Sequence, residues 1–482
     1  MQLNPAKLPR ERASYRRNIF SKPIAFVAAV ILIAAAVCAA QAPAPQAARP
    51  ASDSYLKSKV LPNGLEIIVY EDHTVPLVTV AYIVKAGSWV ESLQDSGLSH
   101  LDEHMFFKST VASKNHEEYL DNIGDMGITY NGSTAEEHCE EHFTSLTQFF
   151  PTAIHFLRDA ARYPLFDPDE VLTERAVVLD ELDRDAANPY DQITHEMTTR
   201  LFYAYPNRKL PEGSRDITAH ATPEGLRAFY NRYYVPNNSA LVIAGDITPE
   251  DAYKQAEFYF GDWPRAADPF VKYPVPENPP LQKSSADVLQ GPIQNVLIEF
   301  GWQGPSIGKD NASTYAADVF SYILRQPNSR FQKALVDSGL ALAVDFGYYT
   351  QRNVGPINVF LQTTPEKARP ALLALQNEIS HFGDPDYFSD QELRNAKVLL
   401  GVNDLFSREK TSDFAIELGF WWASTGIDYF RGYQQTLDGV TRADISRYLH
   451  TYILGKPRVS LVLLSPQAQQ SIQLKTEEVL GK

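Results

Sequence analysis

Two distant stretches of this chain follow one plan. "TPEGLRAFYNRYYVPNNSALVIAG" (222–245) and "TRADISRYLHTYILGKPRVSLVLLS" (441–465) each run from a polar start through an amphipathic, Tyr-bearing helix and a short turn into an apolar strand. A looser pair is "ERAVVLDEL" (174–182) and "RNAKVLLGVNDLF" (394–406). An internal repeat of this size calls for two copies of an α+β unit of about 200 residues each rather than three unrelated domains. The expected fold is two duplicated α/β-sandwich halves with mainly antiparallel sheets. Between the copies lies "WPRAADPFVKYPVPENPPLQKSS" (263–285), whose six prolines and lack of periodicity mark an extended linker. The expected divisions are therefore a leader (1–50), a first domain (51–262), the linker (263–285) and a second domain (286–475).

The leader is read apart from the fold. Arg10, Arg12, Arg16, Arg17 and Lys22 precede the apolar run "IAFVAAVILIAAAVCAA" (24–40), and "QAPAPQAARP" follows. That order is the one of a secretory signal, with cleavage expected near residues 40–42; an uncleaved inner-membrane anchor is the alternative. The twin arginines of "YRRNIF" (15–20) have flanks that fit twin-arginine export poorly. Export would place the chain in the periplasm. Cys38 would leave with the signal, so Cys139 would have no intrachain disulfide partner. The net charge of −15, with no basic run beyond the leader, excludes nucleic acid as an expected partner.

Periodicity places strands at 65–70 and 77–87, short strands near 127–131 and 138–146, and a buried strand at 239–247. Helices are expected at 97–109, 115–125, 150–162 and 168–185, the last opening with acids in its first turn.

The chemistry concentrates in "GLSHLDEHMFF" (97–107), which sets His100, Asp102, Glu103 and His104 among apolar residues. On a helix, positions i and i+4 share a face, so His100 and His104 can address one ion while Glu103 stands beside them. A catalytic zinc takes three protein ligands and keeps one open position. The helix 167–185 offers Glu170, Glu174, Asp180, Glu181, Asp183 and Asp185; Glu174 and Glu181 share one face, and spacing alone does not choose between them.

"SGLSHLDEHMFFKST", "ITYNGSTAEEHCEEHFTSL" and "ERAVVLDEL" together resemble the pitrilysin/insulysin/mitochondrial processing peptidase superfamily of inverted-motif zinc peptidases, over residues 58–470. In that family about 76 residues separate the second His from a Glu ligand, and 76 lie between His104 and Glu181. The resemblance implies a Zn2+ held by His100, His104 and Glu181, with Glu103 as general base and Glu174 supporting the ligand sphere. It also implies that "ITYNGS" (128–133) is an edge strand pairing with the backbone of peptide or unfolded protein substrates, with Asn131, Gly132 and Phe107 as substrate contacts. His138, Cys139 and His142 lie on an expected strand, where i and i+4 stand about 13 Å apart. They are read as structural, as are His73, His116, His155, His195, His220, His381 and His450.

The second copy departs from the family pattern. "YAADV" (315–319) stands where the metal motif would be. Leu335 and Leu342, around a Gly-Leu-Ala step, replace an Arg and a Tyr that many family members use on substrate; Tyr348 or Tyr349 could substitute. The expectation is a zinc-bearing subunit paired with a homologous Arg/Tyr-bearing partner, or a homodimer. The rival reading is a non-catalytic peptide-binding or scaffold protein.

Overall fold

The computed structural model describes residues 55–481; the leader and its apolar run lie outside them. Eleven strands among these residues build two sheets. The first holds β1 (Leu56–Val60), β2 (Glu66–Glu71), β3 (Leu77–Val84), β4 (Thr129–Thr134), β5 (Cys139–Leu146) and β6 (Ser239–Gly245), in the order β1-β2-β6-β3-β5-β4. The second holds β7 (Ser285–Gln290), β8 (Val296–Gln303), β9 (Ala343–Tyr348), β10 (Pro356–Thr363) and β11 (Val459–Leu464), in the order β7-β11-β8-β10-β9. Without β1 the two orders are the same permutation, and the repeat seen in sequence is thus a repeat of topology. Each sheet is mixed: only β2–β6 and β7–β11 run parallel, and the other pairs are antiparallel.

Elements end where backbone geometry demands it. The strand expected at 77–87 stops at Val84, because Gly87 takes a positive φ of 88° and a short 3-10 turn, Ser88–Val90, follows. The strand expected at 127–131 begins later, at Thr129, because Gly127 turns the chain at φ 64°. Residues 263–285 contain one short helix, Pro269–Lys272, and otherwise run without regular structure until β7. That segment is tied down: Phe270 packs on Trp89, and the backbone N–H groups of Asn278 and Leu281 donate to the side chains of Asn353 and Gln303.

The helix Pro189–Leu201 is not among those that periodicity predicts. It starts on a capped turn, with Asn188 accepting from the Tyr190 N–H and Pro189 in the first position. Its apolar residues Ile193, Met197 and Leu201 do not cover the first sheet. They pack on Leu297, Val459, Leu461 and Leu463 of the second. The second copy reciprocates: the helix Thr411–Ser424 lays Phe414, Ala415, Leu418 and Trp422 on Ile68, Ala81, Ile83, Val242 and Ala244 of the first sheet. Each sheet therefore buries one face under helices of its own half and the other under a helix lent by its counterpart.

Polar groups reinforce this exchange. Glu137 accepts the backbone N–H groups of Arg352 (2.8 Å) and Asn353 (3.1 Å). Lys209 donates to Gln351 and to the carbonyls of Asn353 (2.6 Å) and Val354 (2.9 Å). Burial pushes the Lys209 ammonium down to about 8 and raises the Glu137 carboxyl, so both need these partners. At the centre of the lent helix, Gly419 lies against Ile83; a Cβ there would come 2.5 Å from the Ile83 Cδ1. Gly419→Val should cost about 1–3 kcal/mol in chemical denaturation by overpacking, whereas Gly432→Ala, where a Cβ meets nothing, should leave stability equal or raise it.

Candidate metal centre

The helix Leu98–Phe106 carries the H-x-x-E-H motif. Its N-cap, Gly97, has φ 100° and no side chain, and the buried Glu91 serves instead, accepting from the N–H groups of Gly97 (2.9 Å) and Ser99 (2.8 Å). The loop around Gly213 packs against Gly97 so closely that a Cβ on Gly213 would lie 2.1 Å from the Gly97 Cα. This contact brings the Glu212 carbonyl to the first turn of the motif helix.

The two histidines sit one turn apart with ring centroids 5.1 Å from each other. Both Nδ1 atoms are turned outward to oxygen acceptors. His100 Nδ1 faces the Glu212 carbonyl at 3.4 Å, and His104 Nδ1 faces the Glu174 Oε2 at 3.1 Å. In the neutral ring such bonds place the hydrogen on Nδ1, so that Nε2 is the nitrogen with a lone pair to offer a common target. Glu181 comes from the helix Pro168–Ala187, which is started by Asp167 accepting from the N–H groups of Asp169 and Glu170. Its Oε2 lies 3.7 Å from His100 Nε2 and 3.5 Å from His104 Nε2. The ligand atoms of these three residues all fall within 4.8 Å of one another, the only such group of three among the described residues.

Zinc fits this donor set. With metal–ligand distances near 2.0–2.2 Å, tetrahedral neighbours stand ~3.4 Å apart, close to the separations Glu181 keeps from both imidazoles. Two nitrogens and one carboxylate oxygen also leave a fourth position open. Glu174 and Glu181, which spacing could not separate, thus take different places: Glu181 faces Nε2 and Glu174 faces Nδ1. Glu174 is further held by Lys108, whose Nζ is 2.7 Å from its Oε1.

Charge is arranged accordingly. Burial raises the Glu174 carboxyl, but the His104 and Lys108 bonds outweigh it and bring it down to about 2. Burial lowers His104, yet its bonds to Glu174 and Glu181 and the nearby Glu103 charge lift it to about 9 in the metal-free chain. Asp102 points the other way, into the core, where burial pushes it up to about 8; the adjoining Glu141 is raised far above the usual carboxylate range for the same reason. Burial thus favours the neutral form of both, which accounts for carboxyls in an apolar setting.

β4 is the edge of its sheet beside this centre. Gly132 faces the motif helix: a Cβ there would lie 3.1 Å from the Glu103 Cγ. Asn131, the preceding residue on the strand, is exposed and in register with His142, so its side chain takes the opposite face. Phe107 is packed between Phe106, Tyr130 and Phe143 at 4.8–5.7 Å and belongs to the rim of the core. His138 packs on Phe420, while His142 bonds Glu140 at 3.1 Å.

The second half is filled differently. Tyr315 stacks on Tyr429, and the half-buried Asp318 accepts from the Tyr433 hydroxyl at 2.6 Å. Leu335 is fully buried in the second core, whereas Leu342 is 55% exposed. The Tyr348 hydroxyl donates to the Pro305 carbonyl at 3.0 Å, and Tyr349 stacks on Phe420.

Comparison with known proteins agrees with this geometry. Residues 66–210 match the family model described as "Insulinase (Peptidase family M16)", and residues 220–400 match "Peptidase M16 inactive domain". The chain belongs to peptidase family M16. It is 24% identical to an uncharacterized zinc protease of Rickettsia felis over 76% of this chain and 87% of that one. Its fold is similar to a protease from Helicobacter pylori, with a TM-score of 0.75, 20% identity and coverage of 85% of this chain and 99% of that one. It also resembles the periplasmic protease PqqL from Escherichia coli, with a TM-score of 0.71, 18% identity and coverage of 90% of this chain but 50% of that longer one. No helix among the described residues is long and apolar enough to cross a membrane.

Glu212, Lys108 and Ser109 are not marked by any sequence signal, and Glu170 is marked only as one of six acids on its helix. Glu212 acts through its backbone carbonyl, which no side-chain motif encodes. The others become visible only once two helices are side by side. Because His104 is protonated at pH 7 in the metal-free chain and must be neutral to bind zinc, uptake should release about one proton per ion. Calorimetry in two buffers of different ionisation enthalpy will measure it; a value near zero would mean a neutral His104. By linkage, the metal-free fold carries the His104 contribution fully below pH 6.5 and loses it as pH rises through about 9.

Proposed function

We propose that this chain is a zinc-dependent endopeptidase acting on unstructured peptides, and the zinc-bearing subunit of a dimer. The observation that carries the reading is the orientation of both imidazoles, each anchored at Nδ1 and turned with Nε2 toward Glu181. A protein that only held peptides would not need this. His100, His104 and Glu181 would hold the ion. Bound zinc would lower the pKa of a coordinated water toward about 7 and polarise a peptide carbonyl. Glu103 takes a proton from the attacking water and returns it to the amine that leaves as the C–N bond breaks. Glu174 keeps His104 in the Nδ1–H tautomer throughout. The unpaired outer edge of β4 accepts an extended peptide as an added strand, and Gly132 leaves the Glu103 carboxylate room beside it. Backbone pairing of this kind favours unfolded segments over folded proteins.

The partner follows from what the second half lacks. Leu335 is core, and Tyr348 is committed to Pro305. We therefore assign stabilisation of the developing oxyanion to an Arg/Tyr-bearing homologous subunit, a contribution of about 2.7–4 kcal/mol when one such donor is removed. Export to the periplasm is part of the same reading, supported by the basic-apolar-small order of residues 10–50 and by a periplasmic structural relative.

Glu103→Gln should keep stoichiometric zinc yet lose about 10²–10⁴-fold in cleavage of an unfolded protein; cleavage at the original rate would refute Glu103 as the base. Gly132→Ala should lower turnover with zinc retained, because its methyl crowds the Glu103 side chain. Full turnover by the isolated chain would remove the need for a partner.

A further inference from the structure

The metal centre draws its ligands from two helices, and something must hold those helices in register. Glu170, Glu174 and Glu181 lie within about 40° of one another around the ligand helix, at successive heights of ~6 and ~10.5 Å. Only Glu181 faces the imidazole Nε2 pair. The other two reach for consecutive residues just past the end of the motif helix. Lys108 Nζ meets Glu174 Oε1 at 2.7 Å. Ser109 donates twice to Glu170, from its N–H to Oε2 at 3.1 Å and from its hydroxyl to Oε1 at 2.7 Å.

We propose that Lys108 and Ser109 are positioning residues, forming a two-point clamp on Glu174 and Glu170 that sets the rotation and height of the ligand helix and thereby delivers Glu181 to the metal. Arg175 and Asp183 tie another side of the helix to Ala219, Ala221 and Arg215, and on the side of the motif helix a single contact would fix only one point. Two contacts one turn apart fix both its azimuth and its rise, and the His104–Glu174 bond ties the clamp to a ligand. Apolar packing of Val171 and Val178 also holds the helix to the core. Such packing tolerates shifts of several tenths of an ångström, whereas a ligand sphere with ±0.2 Å limits does not. The inference rests on the metal-centre reading and assigns to that centre residues which touch no metal.

The test uses the full chain. Zinc affinity is measured by competition with a chromophoric chelator, and the visible spectrum is recorded for the Co2+-loaded protein. Wild type that takes up no zinc would overturn the metal centre, and the clamp with it, before any variant is made. With zinc bound, Lys108→Met and Ser109→Ala should each weaken affinity about 10-fold or more, toward the range seen when groups behind metal ligands are lost. Their Co2+ spectra should shift toward that of Glu181→Gln. Lys108→Arg and Ser109→Thr, which keep the donors, should restore affinity and spectrum. Glu170→Gln, which keeps the volume and one acceptor, should fall between. If the folded double variant binds zinc within about twofold of wild type with an unchanged Co2+ spectrum, the clamp is refuted. It is equally refuted if the loss of affinity only tracks a loss of metal-free stability that Arg and Thr do not relieve.

Discussion

Two imidazoles on one helical turn are easily arranged, since the backbone does it. The demanding step is a carboxylate arriving from another helix, 77 positions later in the chain, at the correct height and angle. Everything around the site serves that encounter. The motif helix is fixed at its start by Glu91 and by the glycine contact with the 213 loop, and at its end by Lys108 and Ser109. The ligand helix is fixed by its Asp167 cap, its apolar stripe and its acids. The His100, His104 and Glu181 atoms therefore meet at metal-like separations through contacts made by other residues of both helices.

The neutral acids behind the motif helix are the complement of this arrangement. Burial holds the Asp102 and Glu141 carboxyls toward their neutral forms, while the His104 and Lys108 bonds hold Glu174 in its charged one. Lys108 supplies positive charge on the near side.

Much of this could be read from the chain alone, where the signal is local or periodic. His100 and His104 share a face by helical geometry; the duplicated α+β architecture follows from the paired helix-strand signatures at 222–245 and 441–465. The roles of Glu174 and Glu181 needed the family resemblance, because both lie on one face and spacing is silent on which is nearer. Other features were illegible for physical reasons. The Glu212 carbonyl is common to every residue type. Gly97 and Gly213 reveal their contact only when two loops are folded together. The helix Pro189–Leu201 has an apolar stripe with no hint that its sheet belongs to the other half, since a stripe specifies that something covers it and never what. Asn131, next to Gly132 in sequence, points to the far face of the strand by simple alternation, which a motif read as a block conceals.

The reciprocal roofing of the two sheets has a consequence for how such a chain could arise. A polypeptide of half this length would expose one whole sheet face and one unattached helix, and could stand only as a twofold pair trading those helices. Fusing the pair through a proline-rich joint guarantees one copy of each in every molecule. Selection on the second copy could then relax at its metal position, where Tyr315 and Asp318 now stand, without loosening the architecture that the first copy depends on.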